Sequence, residues 1–107
     1  MITVVNKHTH TPTPNDVYIG RGSALGNPYS HLQGTKAAHI CASRAEAVQF
    51  CKGWLEDLIR HKEPRVCAEL NRIYTMAKRG DVNLVCYCAP KACHGGVIKE
   101  LIENHIN

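Results

Sequence analysis

Apolar residues in this chain recur at two spacings. Short stretches are apolar continuously or at alternate positions, and longer ones repeat every three or four residues, so the chain divides into strands and helices. Ile2 to Val5 is apolar or β-branched at every position, which predicts a short, largely buried strand. Asn6 to Asp16 holds Pro12 and Pro14 among His8, His10 and three threonines, and two such closely spaced prolines predict a loop. Val17-Tyr18-Ile19 predicts a second strand, with Gly20-Arg21-Gly22-Ser23 directly after it and a further tight turn at Gly26-Asn27-Pro28. Tyr29 to Ala42 has no period, and His31 and His39 sit there without a clear role. Three clear strands are few for a sheet, so a further short strand is expected within this segment.

Ser43-Arg44-Ala45-Glu46 reads as a capping box opening a helix to about His61. Ala47, Phe50, Cys51, Trp54, Leu55 and Leu58 form its apolar face, and Lys52, Glu56, Asp57 and Arg60 its wet side. Glu63-Pro64 breaks the pattern and starts a second helix, with Pro64 in the first turn. Val66, Cys67, Leu70, Ile73, Tyr74 and Ala77 mark its buried stripe, and Gly80 its end. Asp81 to Cys88 predicts the strongest strand, with Val82, Leu84, Cys86 and Cys88 on one face and Val85 and Tyr87 on the other. Apolar groups on both faces point to an inner strand covered by helices on each side. Pro90 ends it, and from about Ala92 a last helix buries Val97, Ile98, Leu101 and Ile102. The order β-β-α-α-β-α predicts one α/β domain over residues 1–107, a compact Rossmann-like three-layer sandwich.

Composition narrows the function classes. With 107 residues, 44% of them hydrophobic, the chain can fold as one domain around one modest core. It contains no apolar run of membrane-spanning length, and its first residues lack a signal-peptide pattern, so a soluble cytoplasmic protein is expected. In a reducing compartment the six cysteines read as free thiols, metal ligands or reactive groups, not disulfides. A net charge of +4, with lysines and arginines interleaved with acids, suits an anionic ligand but not a nucleic-acid stripe.

The chemistry concentrates between Asn83 and Val97, where a strand end meets a helix start. Three readings stand there. Cys86, Cys88, Cys93 and His94 supply four soft ligands for an alternative tetrahedral zinc site, although C-x-C on a strand is not the usual knuckle spacing. The helix start at Cys93-His94-Gly95-Gly96 offers free N–H groups to an anion, and a thiol placed there would become a nucleophile if exposed. The third reading makes Cys86 and Cys88 small core groups, with Gly95-Gly96 allowing close helix–sheet packing. The Gly20-Arg21-Gly22-Ser23 turn adds a planar guanidinium between flexible residues. If the strands before Gly20 and before Cys88 are adjacent and parallel, Arg21 and His94 converge at their carboxyl ends.

Two segments resemble a known family. Val17-Tyr18-Ile19-Gly20-Arg21-Gly22-Ser23, followed by Leu25-Gly26-Asn27-Pro28, resembles the VYIGR-S-x-x-GNP segment of the family called DUF4326, a domain of unknown function. Cys86-Tyr87-Cys88-Ala89-Pro90 with Cys93-His94-Gly95 resembles its C-x-C-x-P-x-x-CHG signature. The resemblance implies a small cytoplasmic domain of bacteria or phages and carries no established activity. It marks Arg21, Gly26, Asn27, Pro28, Cys86, Cys88, Cys93, His94 and Gly95 as site positions.

These readings give the leading expectation: a domain that binds a nucleotide-like or other anionic small molecule. The ligand would be held by Gly20, Arg21, Gly22, Ser23, Asn27, Gly95 and Gly96. If the domain is catalytic, Cys93 is the expected nucleophile and His94 the acid or base, for hydrolysis or transfer at a glycosidic or phosphate linkage. The alternative is a zinc-stabilised, non-catalytic interaction module, such as a phage protein acting on a host factor.

Overall fold

A computed structural model describes residues 1–26, 29–30, 39–40, 43–87 and 93–106. The elements run β1 (Ile2–Asn6), β2 (Asp16–Tyr18), β3 (Tyr29–Ser30), β4 (His39–Ile40), α1 (Arg44–Arg60), α2 (Pro64–Arg79), β5 (Val82–Cys86) and α3 (His94–Ile106). The expected order is therefore observed, with two short strands added where one was expected. β3 and β4 form a separate parallel pair.

β5 is the central strand of the main sheet, with β1 on one side and β2 on the other, both parallel to it. Val4 and Val17 both register with Leu84. Registered residues share a face, so Ile2, Val4, Val17, Val82, Leu84 and Cys86 line one side of the sheet. This side meets Cys51 and Leu55 of α1, Val66 and Ile73 of α2, and Val97, Ile98 and Ile102 of α3 in one hydrophobic cluster. All three helices also touch one another, so they form a single layer on that face.

The three-layer expectation needs correction. The opposite face carries Thr3, Val5, Asp16, Tyr18, Asn83, Val85 and Tyr87, and among the described residues no helix covers it. Its cover is the β1–β2 connection. β1 and β2 are parallel with β5 between them, so residues 7–15 must travel back along the sheet. The His8 ring lies 5.1 Å from the Tyr87 ring, and the Lys7 ammonium lies 5.1 Å from the centre of the Tyr18 ring. His10 and Thr13 bind Asp16. Val85 is buried on this face although no described helix covers it. Ile2 is buried, while Thr3 is exposed and Val4 and Val5 are half-buried: β1 is an edge strand, not a largely buried one.

The helices begin where their caps predict. Ser43 Oγ accepts the Glu46 N–H at 3.1 Å, and the Glu63 carboxylate accepts the Val66 N–H at 2.7 Å. Phe50, expected on the inner face of α1, is 47% exposed. At 3.6 residues per turn it lies about 100° around the helix from the buried Cys51, beyond the edge of the stripe. Gly80 ends α2 as expected, with its N–H on the Met76 carbonyl, but its φ of 168° is ordinary extended backbone, not a left-handed cap. Among the described residues no helix is long and apolar enough to cross a membrane.

Two glycines distinguish packing from helix propensity. A β-carbon on Gly95 would come within 2.7 Å of Val4 Cγ1 and 3.2 Å of Ile19 Cδ1, whereas one on Gly53, in α1, would meet nothing. Gly95→Ala is expected to destabilise the fold by about 1–3 kcal/mol through overpacking. Gly53→Ala should stabilise it by about 0.5–1 kcal/mol. Denaturant unfolding checks both, and equal effects would contradict the placement of α3 on β1.

Candidate functional site

At its carboxyl end, β2 continues into Ile19, whose N–H donates to the Val85 carbonyl at 3.0 Å. The Ile19 carbonyl accepts a hydrogen bond from His94 Nε2 at 2.6 Å. His94 is the first residue of α3, and only 6% of it is exposed. A carbonyl can only accept, so Nε2 carries the proton and Nδ1 the lone pair. Burial lowers the imidazole pKa below its ordinary value; the Ile19 carbonyl opposes this and the positive charge of Arg21 adds to it. His94 is therefore neutral at pH 7.

Cys93 precedes α3 and caps it. Its sulfur accepts the Gly95 N–H at 3.3 Å, and its carbonyl accepts the Gly96 N–H at 3.1 Å. Its Sγ also lies 3.3 Å from Cys86 Sγ, well beyond a disulfide bond length of about 2.05 Å, so the two form a thiol pair. Cys86 and Cys93 are both buried. The Gly95 and Gly96 amides, expected to meet an anion, are thus engaged by Cys93. Gly95 itself is packed against the sheet, and Gly96 alone of the pair faces solvent.

The Gly20–Ser23 turn stands beside this helix start. Ser23 closes it by donating from its N–H (3.1 Å) and its hydroxyl (2.6 Å) to the Gly20 carbonyl. Gly22 has φ +96°, a conformation open to glycine, and Gly26 packs so closely on the Gly20 carbonyl that a β-carbon would come within 2.7 Å of it. Arg21 and Gly22 are exposed, and the Arg21 carbonyl accepts the Tyr18 hydroxyl at 3.1 Å. Tyr18 has its pKa raised, first by burial and then by Tyr87, with Arg21 opposing. His94 holds the Ile19 carbonyl two residues before Arg21, so the arginine turn and the start of α3 adjoin at the carboxyl ends of β2 and β5.

The remaining expected site residues separate. Cys93 and His94 are neighbours in sequence but turn to different partners, Cys86 and Ile19. Of the four zinc-ligand candidates, Cys86 and Cys93 face each other, His94 is directed to a carbonyl, and Cys88 lies outside the described residues, as do Asn27 and Pro28. Among the described residues no group of three or more histidine, cysteine or acidic side chains could hold a metal ion. Cys51 is buried in the core, where burial pushes its thiol pKa up to about 12, so it serves as a small apolar residue. Half-buried Cys67 lines an apolar cavity of about 290 Å³ with Ile59, Leu70, Tyr74 and Leu101, among the helices and away from the start of α3.

Two groups were missed from sequence. Asp16, at the amino end of β2, accepts from the Thr13 N–H (3.0 Å), the Thr13 hydroxyl (2.9 Å) and Asn83 (3.1 Å), and binds His10 Nε2 at 2.9 Å. These contacts, the Thr13 backbone first, hold its carboxyl well below the usual carboxylate range. His10 is consequently half-buried and paired. The signal was Thr13-Pro14-Asn15-Asp16, a run that favours local side-chain-to-backbone turns. The second group is the set of rings His8, Tyr18 and Tyr87, which strand alternation alone would have placed on the outer face.

The fold and site together define a small parallel α/β domain whose carboxyl edge joins a capped helix, a buried neutral imidazole, a thiol pair and an exposed arginine turn. The chain belongs to the family described as Domain of unknown function (DUF4326), whose profile matches residues 3–104. No curated protein and no solved structure matches it.

Burial of His94 makes stability pH-dependent. Its native pKa is lowered from 6.5, so on acidification the unfolded chain takes up the proton first. The imidazole's contribution is complete above the unfolded value and is lost as pH falls toward the lowered native one. Urea midpoints measured from about pH 7.5 to about pH 5 should fall more steeply for wild type than for His94→Gln. Parallel slopes would exclude His94 as the titrating group.

Proposed function

We propose that this is a cytoplasmic domain that binds a nucleotide-like or other anionic small molecule at the carboxyl ends of its parallel strands. The observation that carries this reading is that His94, at the start of α3 after β5, holds the Ile19 carbonyl, which places the exposed, glycine-flanked Arg21 turn after β2 beside that helix start. In open parallel α/β sheets, ligands bind outside the carboxyl ends of the strands. In that sense the Rossmann-like reading of the fold forms part of the proposal. Arg21 supplies a permanent charge and a planar donor fork for phosphate or carboxylate, and Gly22 lets a ligand approach the backbone. With the Gly95 and Gly96 amides engaged by Cys93, the anion is assigned to Arg21 and its turn. Hydrolysis or group transfer through Cys93 and His94 would require both to reach substrate. At 8% and 6% exposure they support the edge instead, and the proposal is one of binding.

A second reading is favoured by the Cys86–Cys93 thiol pair: a zinc-stabilised module that docks on another protein, such as a phage protein on a host factor. Two facing thiols are half of a tetrahedral site.

A thermal-shift screen with mono- and diphosphate nucleotides tests the first reading. A ligand at about 100 times its Kd adds roughly 2.7 kcal/mol, several degrees in Tm for a domain of this size. That shift should disappear in Arg21→Ala; no shift with any nucleotide would contradict the reading. Elemental analysis tests the second: stoichiometric zinc lost in Cys88→Ser would establish it, and folded, metal-free protein would end it.

A further inference from the structure

The carboxyl edge holds a row of aromatic rings on the face away from the helices, with one ring from each strand of the main sheet. His8 follows β1, Tyr87 follows β5 and Tyr18 ends β2. The His8 and Tyr87 rings are tilted with centroids 5.1 Å apart, and Tyr18 meets Tyr87 edge-on at 6.2 Å. Tyr87 is 48% exposed and Tyr18 36%, although large aromatic groups are mostly buried in domains of this kind. Nothing in the hydrophobic core requires these rings, because the cluster beneath the helices uses the other face. Cationic residues gather at the Tyr18 end of the row. The Lys7 ammonium lies 5.1 Å from the Tyr18 ring centre, and the Tyr18 hydroxyl donates to the backbone carbonyl of Arg21.

Rings held edge-to-face expose π surface without needing an apolar partner. Flanking cations oppose burial beneath a purely apolar partner and favour a planar group that carries negative charge nearby. The row is three rings long, which suits one base better than a strand of several. We infer that Tyr87, with His8 and Tyr18, is the stacking platform for the heteroaromatic base of a mononucleotide whose phosphate meets Lys7 and Arg21. This inference rests on the anion-binding reading and adds the substrate class to it.

Isothermal titration of the full chain with four probes separates the two claims: adenosine 5′-monophosphate, adenosine, ribose 5-phosphate and a short single-stranded oligonucleotide. The variants are Tyr87→Ala, Tyr87→Phe and Arg21→Ala, with circular dichroism confirming that each is folded. Stacking of one base on one ring is worth roughly 5- to 100-fold in affinity. The monophosphate should therefore bind about that much more tightly than ribose 5-phosphate. Tyr87→Ala should remove the difference, Tyr87→Phe should retain it, and ribose 5-phosphate should be indifferent to both. Equal affinity for the base-bearing and base-free phosphates, or an unchanged monophosphate affinity in Tyr87→Ala, overturns the platform and leaves the anion reading standing. Adenosine binding that is lost in Tyr87→Ala, without phosphate dependence, upholds the platform and overturns the anion reading. Binding of a short single-stranded oligonucleotide alone, or of no probe, overturns both.

Discussion

The hydrogen bond from His94 to the Ile19 carbonyl fixes the edge on which the proposed function depends. It ties the first residue of α3 to the residue where β2 turns away, joining two segments that the chain separates by most of its length. A buried carbonyl needs a partner, and a buried imidazole needs its ring nitrogen satisfied, so the contact answers two demands at once. It also fixes the tautomer and positions the arginine turn. Arg21 lies two residues beyond the carbonyl that His94 holds. Neutrality is part of the arrangement, because a second cation beside Arg21 would repel it.

The main sheet is covered unequally. One face is closed by three helices that pack on each other and on Leu84, Val82 and Val17. The other is crossed by a polar connection whose anchor, Asp16, lies at the opposite end of the sheet from the site. An irregular crossover between parallel strands has no ladder of its own, and the Asp16 contacts with Thr13, His10 and Asn83 take its place. This cover is thin at the carboxyl edge, which is why Tyr18 and Tyr87 remain in contact with solvent.

Much of this was legible in the residues. The caps at Ser43 and Glu63-Pro64 and the strand at Val82 to Cys86 follow from local rules of spacing and turn chemistry, whereas bringing Arg21 toward His94 also needed their strands to be adjacent and parallel. The number of layers was not legible, because an apolar residue such as Val85 does not say whether a helix covers it. The two halves of the Cys93–His94 pair were also indistinguishable. Adjacent residues at a helix start diverge, and only the fold decides that one meets Cys86 and the other Ile19. Long-range pairings such as Asp16 with Asn83 depend on register, which periodicity does not set.

The account stands on the claim that ligand is held at the carboxyl edge, between the arginine turn and the ring row. Amide chemical-shift mapping of the isotope-labelled chain, titrated with a nucleoside monophosphate, tests this most directly. The amides of Lys7, His8, Arg21, Gly22, Ser23 and Tyr87 should move together and saturate with one dissociation constant, while those of Leu70, Tyr74 and Leu101 around the helical cavity stay still. Shifts confined to that cavity, or none at millimolar nucleotide, would contradict it.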